Sequence, residues 1–137
     1  MIVVDTNVLA YTLLEGSRTA TCRAVFARDA EWAAPPLARS ELRSVLVGEV
    51  RGGRLNLGEA SGVLGAVDVA LQERQFDVES ARVLTLALTS GCSAYDCEFV
   101  ALAEALDVPL VTTDRQVLTA FPDRALAPEA FVKGSQG

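Results

Sequence analysis

The chain has 137 residues, half of them hydrophobic and only 6% aromatic, which is enough for one buried core and too little for two. Twelve basic and eighteen acidic residues give a formal net charge of -6, so the chain cannot coat nucleic acid by charge alone; a polyanionic substrate would need a metal ion between like charges. Histidine is absent, which removes Ser-His-Asp and Cys-His nucleophile systems, paired-imidazole catalysis and every zinc site built on His.

Ile2-Val3-Val4 is a β-branched run ending at Asp5, followed by Thr6-Asn7 and the apolar pattern Val8, Leu9, Leu13. This predicts a strand turning directly into a helix, with the acid at the strand's carboxyl end. Glu15-Gly16-Ser17 breaks that helix, and residues 19–30 carry Cys22, Val25 and Phe26 at helical spacing before an extended piece over 32–36. Residues 37–50 read as a third helix with Leu42, Val45, Leu46 and Val50 on its apolar face, stopped by Gly52-Gly53.

A helix is predicted over 58–73 even though Gly62 and Gly65 each cost about 1 kcal/mol relative to Ala, which implies close helix packing or a weak segment. Phe76-Asp77-Val78 reads as a very short strand, and residues 80–89 as an apolar helix closed by Gly91. Ser93 caps a helix running to about Leu106, and Pro109-Leu110-Val111-Thr112 is the clearest buried strand. Asp114 then caps a helix through Ala120, residues 124–127 read as a last edge strand, and residues 133–137 as a frayed tail. Short strands alternating with helices predict a single α/β domain over 1–132, with a mostly parallel central sheet and helices on both faces. In such sheets the ligand crevice lies outside the carboxyl ends of the strands, where Asp5 and Asp114 are expected.

Cys22, Cys92 and Cys97 are an odd number with no C-x-x-C pair, which fits reduced thiols. No basic leader precedes the first strand, and the longest charge-free stretch, 83–95, is too short for a membrane span, so a cytoplasmic chain is expected. Cys92 and Cys97 flank the start of one helix but lack basic neighbours that would stabilise thiolates, and read as small buried residues. The lone Trp32 reads as a core or dimer contact rather than a base-stacking platform.

Four carboxylates carry the chemical argument. Asp5 and Asp114 each read equally well as helix N-caps. Asp96 stands in line with Phe99, Val100 and Ala103, where a carboxylate is costly; its alternative is a capping box begun by Ser93. Glu41 lies at the margin of the third helix's apolar face, and its alternative is a solvated edge paired with Arg39 or Arg43. Two acids at strand ends and two at helix margins can converge on one crevice, and four such groups stay ionised together only around a cation. An all-oxygen cluster without His or Cys ligands is the chemistry of magnesium or manganese, and metal-assisted phosphodiester hydrolysis is its natural reaction.

The opening Val3-Val4-Asp5-Thr6-Asn7-Val8-Leu9, Glu41 in Arg39-Ser40-Glu41-Leu42, Tyr95-Asp96 at a helix start, and Leu110-Val111-Thr112-Thr113-Asp114 together resemble the PIN domain over residues 1–127. Length and motif order resemble VapC-type toxins, the ribonuclease half of type II toxin-antitoxin modules. The resemblance implies a Mg²⁺- or Mn²⁺-dependent endoribonuclease with Asp5, Glu41, Asp96 and Asp114 as its acidic site and water as nucleophile. Asn7 and Thr112 would support that site by hydrogen bonds. Asp5 and Asp96 would ligate directly, with Glu41 and Asp114 acting through bound water or a second ion. Some members carry a further acid after the last one, whereas here Asp114 is followed by Arg115, Gln116 and Val117.

The same resemblance implies a homodimer and an antitoxin that covers the crevice with an Arg or Lys. RNA contacts would fall to Arg39, Arg43, Arg51 and Arg54, whose bland alternative is ordinary solvated helix surface. A phosphotransfer receiver domain needs a Lys at a late strand end, and the only Lys is Lys133. A haloacid-dehalogenase-like phosphatase needs Asp-x-Asp, and position 7 is Asn. A PIN-like module that binds without cutting, and a stand-alone RNA-processing nuclease, stand as the alternatives.

Overall fold

The β-branched opening run forms the centre of the molecule. In the computed structural model, which describes residues 1–134, β1 (Ile2–Val4) has all three side chains buried, as befits a strand covered on both faces. It pairs in parallel with β2 (Trp32–Ala33) through Ile2–Trp32 and Val3–Ala33. On its other side it pairs with β3 (Leu110–Val111) through Val3–Leu110 and Val4–Val111, and β3 carries β4 (Ala125–Leu126) as an edge strand. The sheet is parallel throughout, in the order β2-β1-β3-β4. The chain leaves β1 toward one edge and returns through β3 to the other, so a crevice opens beyond the adjoining ends of β1 and β3.

The helices are α1 (Thr6–Leu13), α2 (Thr19–Arg28), α3 (Leu37–Arg51), α4 (Leu57–Leu71), α5 (Ser80–Ser90), α6 (Ala94–Leu106), α7 (Arg115–Ala120) and α8 (Pro128–Lys133). Their starts follow side-chain chemistry. Asn56 and Glu59 form a reciprocal capping box on α4, with bonds of 2.8 and 3.0 Å, and Ser93 accepts the Asp96 N–H at 3.0 Å to open α6. Gly91 closes α5 at a φ of 78°, a left-handed conformation that glycine adopts without penalty.

Leu42 and Leu46 of α3 are buried as the spacing predicts, and Val45 and Val50 pack partly buried against the same core. Trp32 is a core residue, 1% exposed, meeting Phe26 edge-on with ring centroids 5.1 Å apart and donating its indole N–H to the Asp29 carbonyl at 2.8 Å. Cys22, Cys92 and Cys97 are free and buried. Among the described residues no helix is long and apolar enough to cross a membrane.

Three expectations need correction. Phe76-Asp77-Val78 forms no strand: the chain makes one parallel bridge, Ala34 to Gln75, and then turns into α5. Its composition suits a strand, but two-residue β2 offers too little edge to extend. Of the two readings of the α4 glycines, close packing fails, because a Cβ added at Gly62 or Gly65 would meet open space, and the weak segment is the one left. The last residues also hold a helix that periodicity missed: α8 docks on α2, where Arg28 donates to the Val132 carbonyl at 2.9 Å and lies over the Phe131 ring at 5.0 Å. Of the tail expected over 133–137, Lys133 ends α8, and residues 135–137 lie outside the described residues.

Candidate active site

Capping and site formation are one arrangement in this fold. Asp5 follows β1 and caps α1, its Oδ1 accepting the Val8 N–H at 2.9 Å. Its Oδ2 accepts the hydroxyl of Thr112, which follows β3 and is 1% exposed. The same Thr112 oxygen accepts the Asp114 N–H at 3.0 Å, and Asp114 caps α7 by accepting the Val117 N–H at 3.1 Å. Parallel pairing of β1 with β3 therefore brings two N-caps to one end of the sheet, joined by a buried hydroxyl.

Asp96 stands half-buried in the first turn of α6, with Phe99, Val100 and Ala103 buried along the line behind it. Glu41 enters from α3. It is not paired with Arg39 or Arg43; it accepts the Thr6 hydroxyl at 2.8 Å, while Arg39 turns to Asp68 of α4, with Nε 3.0 Å from Oδ1. Asp5, Asn7, Glu41, Asp96, Thr112 and Asp114 all line a single cavity of about 300 Å³. Thr6 and Ser44 line it too, along with the apolar Val45, Phe99, Leu110 and Val117, and no Arg or Lys does.

The electrostatics follow from that composition. Burial pushes the Asp5 carboxyl above the ordinary carboxylate range and the Asp114 charge adds to this, against the Thr112 hydroxyl and the backbone N–H groups of Val8 and Thr113. Burial also raises Asp96, again with Asp114 adding and the Ser93 hydroxyl opposing. Glu98, two residues on, is raised by burial and by the Glu41 charge. The thiols take no part: burial holds Cys22 up at about 11 and raises Cys97, so neither favours a thiolate.

An oxygen-only donor set without a lining cation fits a hard divalent ion. Among the described residues no three His, Cys, Asp or Glu side chains stand close enough to clasp an ion by themselves. An ion here would take one or two carboxylates and complete its shell with water, the habit of Mg²⁺.

The four arginines chosen from the sequence do not enter the cavity. Arg39 is tied to Asp68, and Arg54 to Glu49 at 2.7 Å. Arg43 and Arg51 are exposed and flank an apolar groove between α3 and α4 that includes Leu46, Val50 and Leu57. Sequence reasoning passed over Thr6 and Ser44. Thr6 stood inside the Asp5-Thr6-Asn7 motif, and Ser44 lies one helical turn after Glu41, so a helical projection from that acid would have found it.

Known proteins place the chain. The PIN domain matches residues 2–122. Ribonuclease VapC3 of Pyrobaculum aerophilum is 30% identical over 124 residues, covering 88% of this chain and 95% of that protein. The crystal structure of PAE2754 from Pyrobaculum aerophilum superposes with a TM-score of 0.71 at 24% identity, covering 97% of this chain and 94% of the other. A chain of a toxin-antitoxin complex from Klebsiella pneumoniae has a TM-score of 0.67 at 17% identity, covering 93% of this chain and 98% of its own. FitAcB from Neisseria gonorrhoeae gives 0.68 at 19%, covering 94% and 99%. The chain belongs to the PIN-domain family, and its relationship is with the VapC type.

Proposed function

We propose that this chain is a divalent-metal-dependent endoribonuclease and the toxin of a type II toxin-antitoxin pair. The observation that carries the reading is the meeting of Asp5, Glu41, Asp96 and Asp114 around one cavity that no basic side chain lines. Family membership and a relative named as a ribonuclease support the same reaction.

Asp5 and Asp96 would hold a Mg²⁺ or Mn²⁺ ion, with Glu41 and Asp114 acting through bound water or on a second ion. When bound, the ion supplies charge neutralisation at the scissile phosphate and a more acidic water as nucleophile. Thr112 fixes the Asp5 carboxylate and the backbone of Asp114 together. Asn7, exposed on the cavity wall, offers an amide donor to a phosphate oxygen. Among the arginines, Arg43 and Arg51 are the better RNA contacts, since Arg39 and Arg54 are engaged in ion pairs.

The cavity's excess of carboxylates also suits an antitoxin that presents an Arg or Lys. The reading further takes the chain as one PIN domain over 1–132 that forms a homodimer in the cytoplasm. Cleavage of an RNA pool by purified protein tests the activity: cuts with Mg²⁺ or Mn²⁺ and none with EDTA are expected. RNA or antitoxin binding without cleavage under either ion would instead favour the binding-module alternative.

A further inference from the structure

Four helical threonines of this chain, Thr12, Thr19, Thr85 and Thr89, donate their hydroxyls to a nearby backbone carbonyl. Thr12, Thr85 and Thr89 each donate to the carbonyl four residues back, at 2.7, 3.0 and 2.8 Å. Thr6 is the first residue of α1, and four residues before it lies Ile2 in β1, outside the helix. The N-cap role at this helix start is already filled by Asp5. Thr6 is 6% exposed, so its hydroxyl needs a partner, and it finds Glu41 of α3 at 2.8 Å. Among the described residues no other hydrogen-bond donor reaches Glu41 within bonding distance.

We infer that Thr6 is a positioning residue for the cation site: its hydroxyl fixes Glu41 through Oε1 and leaves Oε2 free for the water shell of a bound ion. This rests on the metal-dependent reading of the cavity and deepens it. A long, rotamer-rich glutamate on a half-exposed helix margin is poorly ordered by itself. The bond from α1 removes that freedom before an ion arrives, and hydrogen-bond partners of this kind set ligand orientation in metal sites generally.

The test is Mn²⁺ binding to the full chain without RNA, followed by calorimetry, for wild type, Thr6→Val, Thr6→Ser, Glu41→Gln and the Thr6→Val/Glu41→Gln double variant. Melting and circular dichroism of each ion-free protein verify the fold, and Thr6→Ala replaces Thr6→Val if the latter fails to fold. Thr6→Val is expected to bind Mn²⁺ about tenfold more weakly, with Thr6→Ser restoring affinity. In the Glu41→Gln background the Thr6 substitution is expected to add nothing, because its effect passes through Glu41. Equal affinity of wild type and Thr6→Val, or an undiminished loss in the Glu41→Gln background, overturns the inference and leaves the cation site standing. No Mn²⁺ binding by the wild type overturns both.

Discussion

Thr112 donates its hydroxyl to Asp5 across 107 residues of sequence. The same oxygen accepts the Asp114 N–H at 3.0 Å, so one buried group holds two of the four acids in place. Thr112→Val keeps the volume and strands both partners, which should lower stability by about 1–3 kcal/mol. Thr112→Ser should restore most of it. Denaturant unfolding of the three proteins checks this, and a Val variant as stable as wild type would show that the hydroxyl is dispensable.

Asp5 gives the fold a pH dependence of defined sign. Burial raises Asp5 and Asp96 above the ordinary aspartate value of 3.8. Between the ordinary and raised values the folded chain binds more protons than the unfolded one, so unfolding free energy falls as pH rises through that window. Glu104, lowered by its hydrogen bond to Arg82, has the opposite sign, but it belongs to a solvent-exposed pair and weighs little. Asp5→Asn removes the buried charge and can keep the Val8 cap, with its amide N–H donating to the Thr112 oxygen where the hydroxyl now donates to the carboxylate. In ion-free buffer it should melt a few degrees above wild type at neutral pH, with the gap closing near pH of about 4, while cleavage is lost. Thermal melts across pH decide it; a variant less stable than wild type at neutral pH would contradict the electrostatic account.

The acids at strand ends were legible because a strand running straight into a helix places its last residue at both a sheet end and an N-cap. Asp96 was legible from its alignment with Phe99, Val100 and Ala103. The partners of Glu41 and Arg39 were not, because packing of α3 against α1 and α4 chooses Thr6 and Asp68 over nearer neighbours in sequence. Phe76-Asp77-Val78 had a strand's composition without a neighbour to extend. α8 did carry a signal, Pro128 at its first position with Glu129 in the first turn and Lys133 in the last, but the helix is too short for periodicity to reveal.

The open surroundings of Gly62 and Gly65 yield a stability gain without touching the site. Ala at either position meets no atom and suits the helical backbone of α4, so each substitution should add about 0.5–1 kcal/mol. Urea midpoints measure it, with cleavage unchanged. A loss of stability would mean that α4 is packed more tightly than its geometry indicates.

RNA binding should divide the arginines by their existing partners. Arg54 is held by Glu49, whereas Arg43 and Arg51 have no ion-pair partner among the described residues. If each contacts one phosphate, the Arg43→Gln/Arg51→Gln double variant should reduce the slope of log affinity against log salt by about 1.4 for single-stranded RNA. Arg54→Gln should change it little. Fluorescence titrations over a salt series provide the slopes, and indistinguishable slopes for wild type and the double variant would remove Arg43 and Arg51 from the interface.

The central claim is that the carboxylates around the cavity hold a divalent ion and cut RNA, and Asp96 tests it most directly. Asp96→Asn removes charge from the cavity, while the bond from the backbone N–H of residue 96 to the Ser93 hydroxyl, which opens α6, does not depend on that charge. The measurement is cleavage of a structured RNA pool by wild type and Asp96→Asn with Mg²⁺, Mn²⁺ or EDTA, the fold of the variant being verified by circular dichroism. Discrete cuts that need the ion and fall by about 100-fold or more in the variant are the predicted result. Cleavage that persists in EDTA, or at the wild-type rate in Asp96→Asn, would contradict it.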